Sequence, residues 1–233
     1  MYRQHANLSL DAASQVWQQA SAEIVRSGQL DGLIAIERIG TRMRFFRDQE
    51  IYAEGDQGTC WFKVISGTVR ISKLLADGRR HIAEFCFAGD SFGFDAFEER
   101  VFSAEAVTDA TVLRLPRAAT ERLIEEDPVF ARHLRGEMLR SLDAAQHRLF
   151  LLGRMTACER VAAFLVELSE RHDARHRVDL PMSRCDIADH LGLTVETVCR
   201  VLSDFKRRGL IAAPDAHRIE LLDREALAAI AED

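Results

Sequence analysis

Glu196 and Arg200 stand one helical turn apart in the segment SRCDIADHLGLTVETVCRVLSDFKRRG, residues 183–209. An arginine fork matches the O6 and N7 acceptors of guanine, and a carboxylate accepts from the amino group of cytosine, so such a pair can read neighbouring base edges. The outer position of both residues follows from the apolar pattern. Ile187, Ala188 and Leu191 form one stripe, Gly192 interrupts it, and Val198, Val201, Leu202 and Phe205 start a second stripe at helical spacing. Ser183 with Asp186 three residues on has the form of a capping box, and Thr194 is a good N-cap for the second helix. Val195, Glu196, Cys199, Arg200 and Ser203 are thereby expected to face outward. A solvated helix face with an ordinary i,i+4 pair would also account for Glu196 and Arg200. The glycine turn between two helices favours DNA reading, because the second helix of such a motif enters the major groove.

On this expectation Val195, Glu196, Cys199 and Arg200 contact bases, while Ser183, Arg184, Thr194, Thr197, Lys206 and Arg207 contact phosphates. The net charge of −6 over 233 residues gives no support by itself. The balance is local: Arg200, Lys206, Arg207 and Arg208 outnumber Asp204 between 199 and 210, whereas six acids face two arginines from 211 onward. Counterion release depends on the cations that touch the backbone, so a local excess suffices.

The elements that must carry this segment change period along the chain. Residues 1–30 are polar and Ala/Gln-rich, a short N-terminal extension with no evident chemistry. From about 42 to 116 the text alternates apolar and polar residues between glycine turns (EGDQG, SGT, ADG, AGDSFG), with Asp77-Gly78 a strong hairpin signal. A small antiparallel barrel or roll over 31–126 is its natural product. After Asp127-Pro128 a helix is expected to residue 153, with Met138, Leu142, Ala145, Leu149 and Leu152 spaced 4, 3, 4, 3 as an a/d seam. That seam either packs on its own domain or forms a dimer axis; the second gives a two-fold homodimer and a palindromic site. Residues 154–233 then read as helix, short strand, two helices and a hairpin turning near Pro214 and Asp215, which is a winged helix. The fold class is therefore α+β.

Hydrophobic residues make up 47% of the chain, enough for two cores, and no apolar run reaches membrane-spanning length. The N-terminus lacks the basic-then-apolar order of a signal peptide, so a cytoplasmic protein is expected. The five cysteines are scattered and never spaced as a metal knuckle. GxSxG, a phosphate-binding glycine loop and paired metal ligands are all missing, which argues against a hydrolase or transferase.

From about residue 30 onward the chain resembles the CRP/FNR superfamily of regulators, and within it the FNR/FixK branch. HIAEFCFAGDSFGFDAF, ERVAAF (159–164) and DIADHLGLTVETVCRVLSDFKRRGLI carry the resemblance. It implies a cyclic-nucleotide-binding-like β-roll, a dimerisation helix and a winged helix that recruits RNA polymerase. The implied target is like TTGAT-N4-ATCAA, with Arg200 on the guanine, in genes of microaerobic growth, denitrification or nitrogen fixation.

Departures from the family pattern bear on control. Phe94 stands where cyclic-nucleotide-binding relatives have the ribose glutamate, and Phe102-Ser103 replaces the Arg-Ser pair that holds the phosphate, so cyclic nucleotide is not expected. No cysteine precedes Cys60, and Leu113 occupies the place of the internal ligand, so the iron–sulfur cluster of oxygen-sensing members has nothing to bind it. No cofactor is expected. His81 and Cys86 keep open the alternative of a haem- or ligand-sensing member. Cys199 replaces the branch's usual serine. Its small side chain suits a thymine methyl, and its oxidation would add negative charge facing phosphates; Cys185 is a lesser candidate for the same redox role.

Overall fold

The computed structural model describes residues 36–94, 98–171 and 176–232. The proposed extension at 1–30 lies outside the described residues. Eight strands build the N-terminal half: β1 (Thr41–Phe45), β2 (Glu50–Tyr52), β3 (Cys60–Ser66), β4 (Val69–Leu74), β5 (Arg80–Cys86), β6 (Ser91–Phe92), β7 (Ser103–Ala106) and β8 (Ala110–Pro116). They form two antiparallel four-stranded sheets, ordered β1-β8-β3-β6 and β2-β7-β4-β5. Phe45, Tyr52, Phe62, Val64, Phe92 and Val112 fill the space between them. Asp77-Gly78 turns the β4–β5 hairpin, with Gly78 at φ 83°, a conformation glycine adopts without a Cβ clash.

Helix α1 (Arg117–Glu126) leads into the 27-residue α2 (Pro128–Arg154). Asp127 caps α2, accepting from the amides of Val129 and Phe130 at 2.9 and 3.1 Å, and Pro128 occupies the first turn, where its missing N–H costs nothing. The first turns of α2 pack Phe130 and Leu134 against Trp61, Leu113 and Leu115 on the outer face of the β3–β8 pair. Leu113 is thus a core residue. Farther along, α2 leaves its own domain. Met138, Leu139, Leu142, Leu149 and Phe150 are exposed, Leu149 at 73%, while Leu152 is partly buried. Leu139 and Phe150 widen the expected seam on either side.

The C-terminal half comprises α3 (Ala157–Arg171), β9 (Arg177–Asp179), α4 (Arg184–Leu191), α5 (Val195–Arg207), β10 (Ile211–Asp215), β11 (Arg218–Leu221) and α6 (Arg224–Glu232). Its three strands pair in the order β10-β11-β9. The wing corrects one expectation, because Pro214 and Asp215 lie in β10 and the turn falls at Ala216 and His217. A register shift between Ala212 and Asp215 accommodates the proline, and the Asp215 carboxylate accepts from the His217 amide at 2.8 Å to close the turn.

One apolar core crosses between the halves. Ile82, Phe85, Phe87 and Val107 of the roll share a buried cluster with Phe164, Leu165, Ile187 and Ala188. The register explains it: Ser72 and Arg70 of β4 lie opposite Ile82 and Phe85 of β5, on the face turned away from the roll interior. The winged helix covers that face.

Candidate nucleic-acid interface

Helices α4 and α5 meet at Gly192, whose φ of 63° ends α4 in the left-handed conformation. The capping box is formed, with the Ser183 hydroxyl accepting from the Asp186 amide at 3.1 Å and the Asp186 carboxylate from the Ser183 amide at 3.0 Å. Thr194 caps α5 by accepting from the Thr197 amide at 3.2 Å. Val198 and Phe205 are fully buried, which fixes the rotation of α5 about its axis.

Glu196, Cys199, Arg200 and Ser203 consequently face solvent. Val195 departs from the expected outward row, being half-buried against the winged-helix core. Glu196 is held below the ordinary carboxylate range by its own backbone N–H, by the Thr194 hydroxyl and by the charge of Arg200, so it is an anionic acceptor at neutral pH. Arg200 makes no ion pair or hydrogen bond among the described residues, which leaves its fork open to a partner.

The expected phosphate contacts divide into two sets. Lys206 is exposed at the end of α5, and Thr197 and Thr194 share a hydroxyl contact of 3.1 Å at its start. Arg207 is exposed but paired with Asp204, which also sits 3.6 Å from Arg208. Ser183 is engaged with Asp186 through its hydroxyl. Arg184 is half-buried, with Nη1 enclosed and without a hydrogen-bond partner; burial lowers its pKa, opposed by Cys199 close by. Cys199 and Cys185 are both exposed thiols, one on the outer face of α5 and one in the first turn of α4.

Sequence reasoning missed the residues that orient these helices. Arg160 of α3 donates to the carbonyls of Leu152, Met155 and Leu191 at 2.9–3.0 Å, joining the end of α2 to the end of α4. Its place in ERVAAF marked a motif but gave no partner. Arg70 and Arg80 of the roll reach Asp186 and Asp189 of α4, more than a hundred positions away in sequence, for which no local signal exists.

The residues that stand at the family's ligand positions have partners of their own. Phe94 stacks on Trp61 at 5.0 Å, and the Ser103 hydroxyl accepts from the Glu54 amide. Arg100 is buried, donates to the carbonyls of Gly93 and Cys60, and places its guanidinium 4.3 Å from the Tyr52 ring centroid. Tyr52, Phe62 and Phe92 stack around it. Cys86 is wholly buried in the roll core, and burial pushes its thiol well above the ordinary range, against the thiolate that an iron would need. His81 is half-buried in a cleft with Lys73 and Phe102. Among the described residues no three His, Cys, Asp or Glu converge as metal ligands, and no helix is long and apolar enough to cross a membrane.

Comparison with known proteins agrees with this architecture. Residues 159–230 match the Crp-like helix-turn-helix domain and residues 42–127 the cyclic nucleotide-binding domain. The chain is 43% identical over 197 residues to the nitrogen fixation regulation protein FixK of Azorhizobium caulinodans, covering 82% of this chain and 79% of that protein. To FixK of Rhizobium meliloti it is 45% identical over 179 residues, 77% and 82% of the two chains. The solved structure of FixK2 from Bradyrhizobium japonicum matches with a TM-score of 0.78 at 38% identity, over 82% of this chain and 97% of that one.

Proposed function

This chain belongs to the FixK-like branch of the CRP/FNR regulators, and from that membership we propose that it binds palindromes like TTGAT-N4-ATCAA as a two-fold dimer. It is a DNA-binding transcription regulator, and its relatives are regulators rather than enzymes. The genes it activates are those of low-oxygen metabolism, nitrogen fixation among them, through recruitment of RNA polymerase. Support for nitrogen fixation comes from the names of the FixK relatives, and for the low-oxygen setting from the resemblance.

The observation that carries the base-reading assignment is the pairing of an ionised Glu196 with an unengaged Arg200 on the solvent side of α5. Arg200 takes the guanine of each TTG, Glu196 the neighbouring bases, and Cys199 offers a small contact for a thymine methyl. Lys206, Thr194 and Thr197 hold the flanking phosphates. The reading includes control without a cyclic nucleotide, which Phe94 and Phe102-Ser103 support by standing where the ribose glutamate and the Arg-Ser pair of binding relatives would be.

Affinity measured at one stated salt concentration, on the palindrome and on versions with its guanines replaced, tests the assignment. Arg200→Ala is expected to cost about 1–3 kcal/mol on the matched site and to lose the guanine preference, whereas Lys206→Ala weakens all sites alike. Retention of guanine preference by Arg200→Ala would overturn it.

A further inference from the structure

The winged helix joins the rest of the molecule through the covalent junction after α2, at Met155, and through the apolar cluster it shares with the roll. It is also joined through ion pairs, Arg171 with Asp90 at 2.7 Å and a larger ion cluster on the outer face of the roll. Arg70, buried in β4, donates to Asp186 at 3.3 Å and to Glu105 at 2.6 Å. Arg80, at the start of β5, donates to Asp186 at 2.5 Å and to Asp189 at 2.9 Å. Asp186 is also the N3 member of the capping box that Ser183 heads, so the start of the first DNA-binding helix and the outer face of the roll share a single carboxylate. His190, on the next turn, completes the contact with Nδ1 3.0 Å from the carbonyl oxygen of Ile82.

A covalent junction leaves a domain free to rotate and an apolar contact has little directional preference; ion pairs of fixed geometry set the angle. The cluster lies beside α4, whereas Glu196 and Arg200 on α5 remain exposed, so this docked arrangement leaves the reading face open. We propose that Arg80, together with Arg70, is a positioning residue for DNA binding, holding α4 against the roll so that α5 is presented at a fixed angle to α2. The roll then has a task that needs no ligand. It serves as the brace against which the recognition helix is set. The proposal rests on the palindrome-binding dimer, because only a two-site target senses the angle between two recognition helices.

The test uses the full chain, with Arg80→Ala, Asp189→Ala, the double variant and Arg80→Lys. Hydrogen exchange of the amides in α4 and β5 reads docking directly, whatever the DNA target. Arg80→Ala is expected to speed exchange in both elements with the thermal midpoint of the roll unchanged. It lowers palindrome affinity about tenfold and leaves affinity for a single half-site within about twofold, the scale of a modest coupling between distant groups. The double variant loses no more than Arg80→Ala alone, which already removes the contact with Asp189, whereas Asp189→Ala alone loses less because Arg80 keeps Asp186. Arg80→Lys recovers part of the loss. Unchanged exchange in Arg80→Ala and Asp189→Ala would overturn the brace, as would equal losses on palindrome and half-site, which mark a direct DNA contact. If the unaltered protein binds a half-site as tightly as the palindrome, the dimer target fails instead, and the exchange result alone decides the brace. Should Arg80→Ala not fold, the partly exposed Asp189→Asn puts the same question.

Discussion

Burial of His190 withdraws the water that would stabilise an imidazolium, and the charge of Arg148 acts in the same direction, so its pKa falls from 6.5 to about 4. The ring lies between Phe85 and Phe164, at 5.1 and 5.7 Å between centroids. Neutral, with Nδ1 carrying the proton, it donates to Ile82. The unfolded chain takes up a proton at this residue below pH 6.5 and the folded chain only near pH 4, so stability is intact above that window and drains as pH falls through it. The linkage corresponds to at most about 3 kcal/mol. Asp186 and Glu137, both held below the ordinary carboxylate range against the opposing effect of burial by hydrogen bonds and cations, lose their contribution only at more acid pH. Melting temperatures between pH 7 and 4.5 are expected to fall for the unaltered protein and to fall less for His190→Gln, which keeps an N–H for Ile82 and cannot be protonated. Parallel slopes for the two proteins would place the acid sensitivity elsewhere.

Among the elements, the junction between α2 and α3 is tied together by Arg160. The three carbonyls met by Arg160 are those of the last turn of α2, its C-cap and the last residue of α4. A lysine keeps the charge but cannot span them, so Arg160→Lys is expected to cost about 1–3 kcal/mol in chemical denaturation, the penalty for partly buried carbonyls left without donors. A loss below about 0.5 kcal/mol would show that water replaces the guanidinium there. Helix α5 was legible in the sequence because its core and solvent faces are cleanly separated and its cap is local. Strands β3 to β5 were legible from the glycine turns that bound them, although β3 and β4 are buried on both faces by the elements that cover the roll. Helix α1 was not, since RAATERLIEE has no full apolar stripe: of its residues only Thr120 is buried, where it accepts from the Trp61 indole at 2.8 Å. Its position depends on a contact 59 residues away. The contacts of Arg70, Arg80 and Arg100 escaped for a like reason, because a charged residue on a strand or in a loop reads as solvated until the facing element is known.

At the scale of the whole molecule, the exposed face of α2 is the feature that the chain alone does not account for. Met138, Leu142, Leu149 and Phe150 expose 46–73% of their surface on a helix whose first turns are well packed. A run of apolar surface of this kind on a folded protein marks an interaction site. The heptad spacing suits a second copy of the same helix, crossing it so that a and d residues interlock. Such pairing would convert two short recognition helices into one bivalent reader, and bivalence multiplies affinity without new contacts at either half-site. Leu142→Glu with Leu149→Glu puts charge on the seam while leaving the cores of both halves untouched, since neither residue is buried. Sedimentation is expected to show a dimer for the unaltered protein and a monomer for the double variant. Palindrome affinity falls by about 100-fold or more while half-site affinity holds, because the second binding event is no longer intramolecular. A double variant that stays dimeric would remove α2 from the interface.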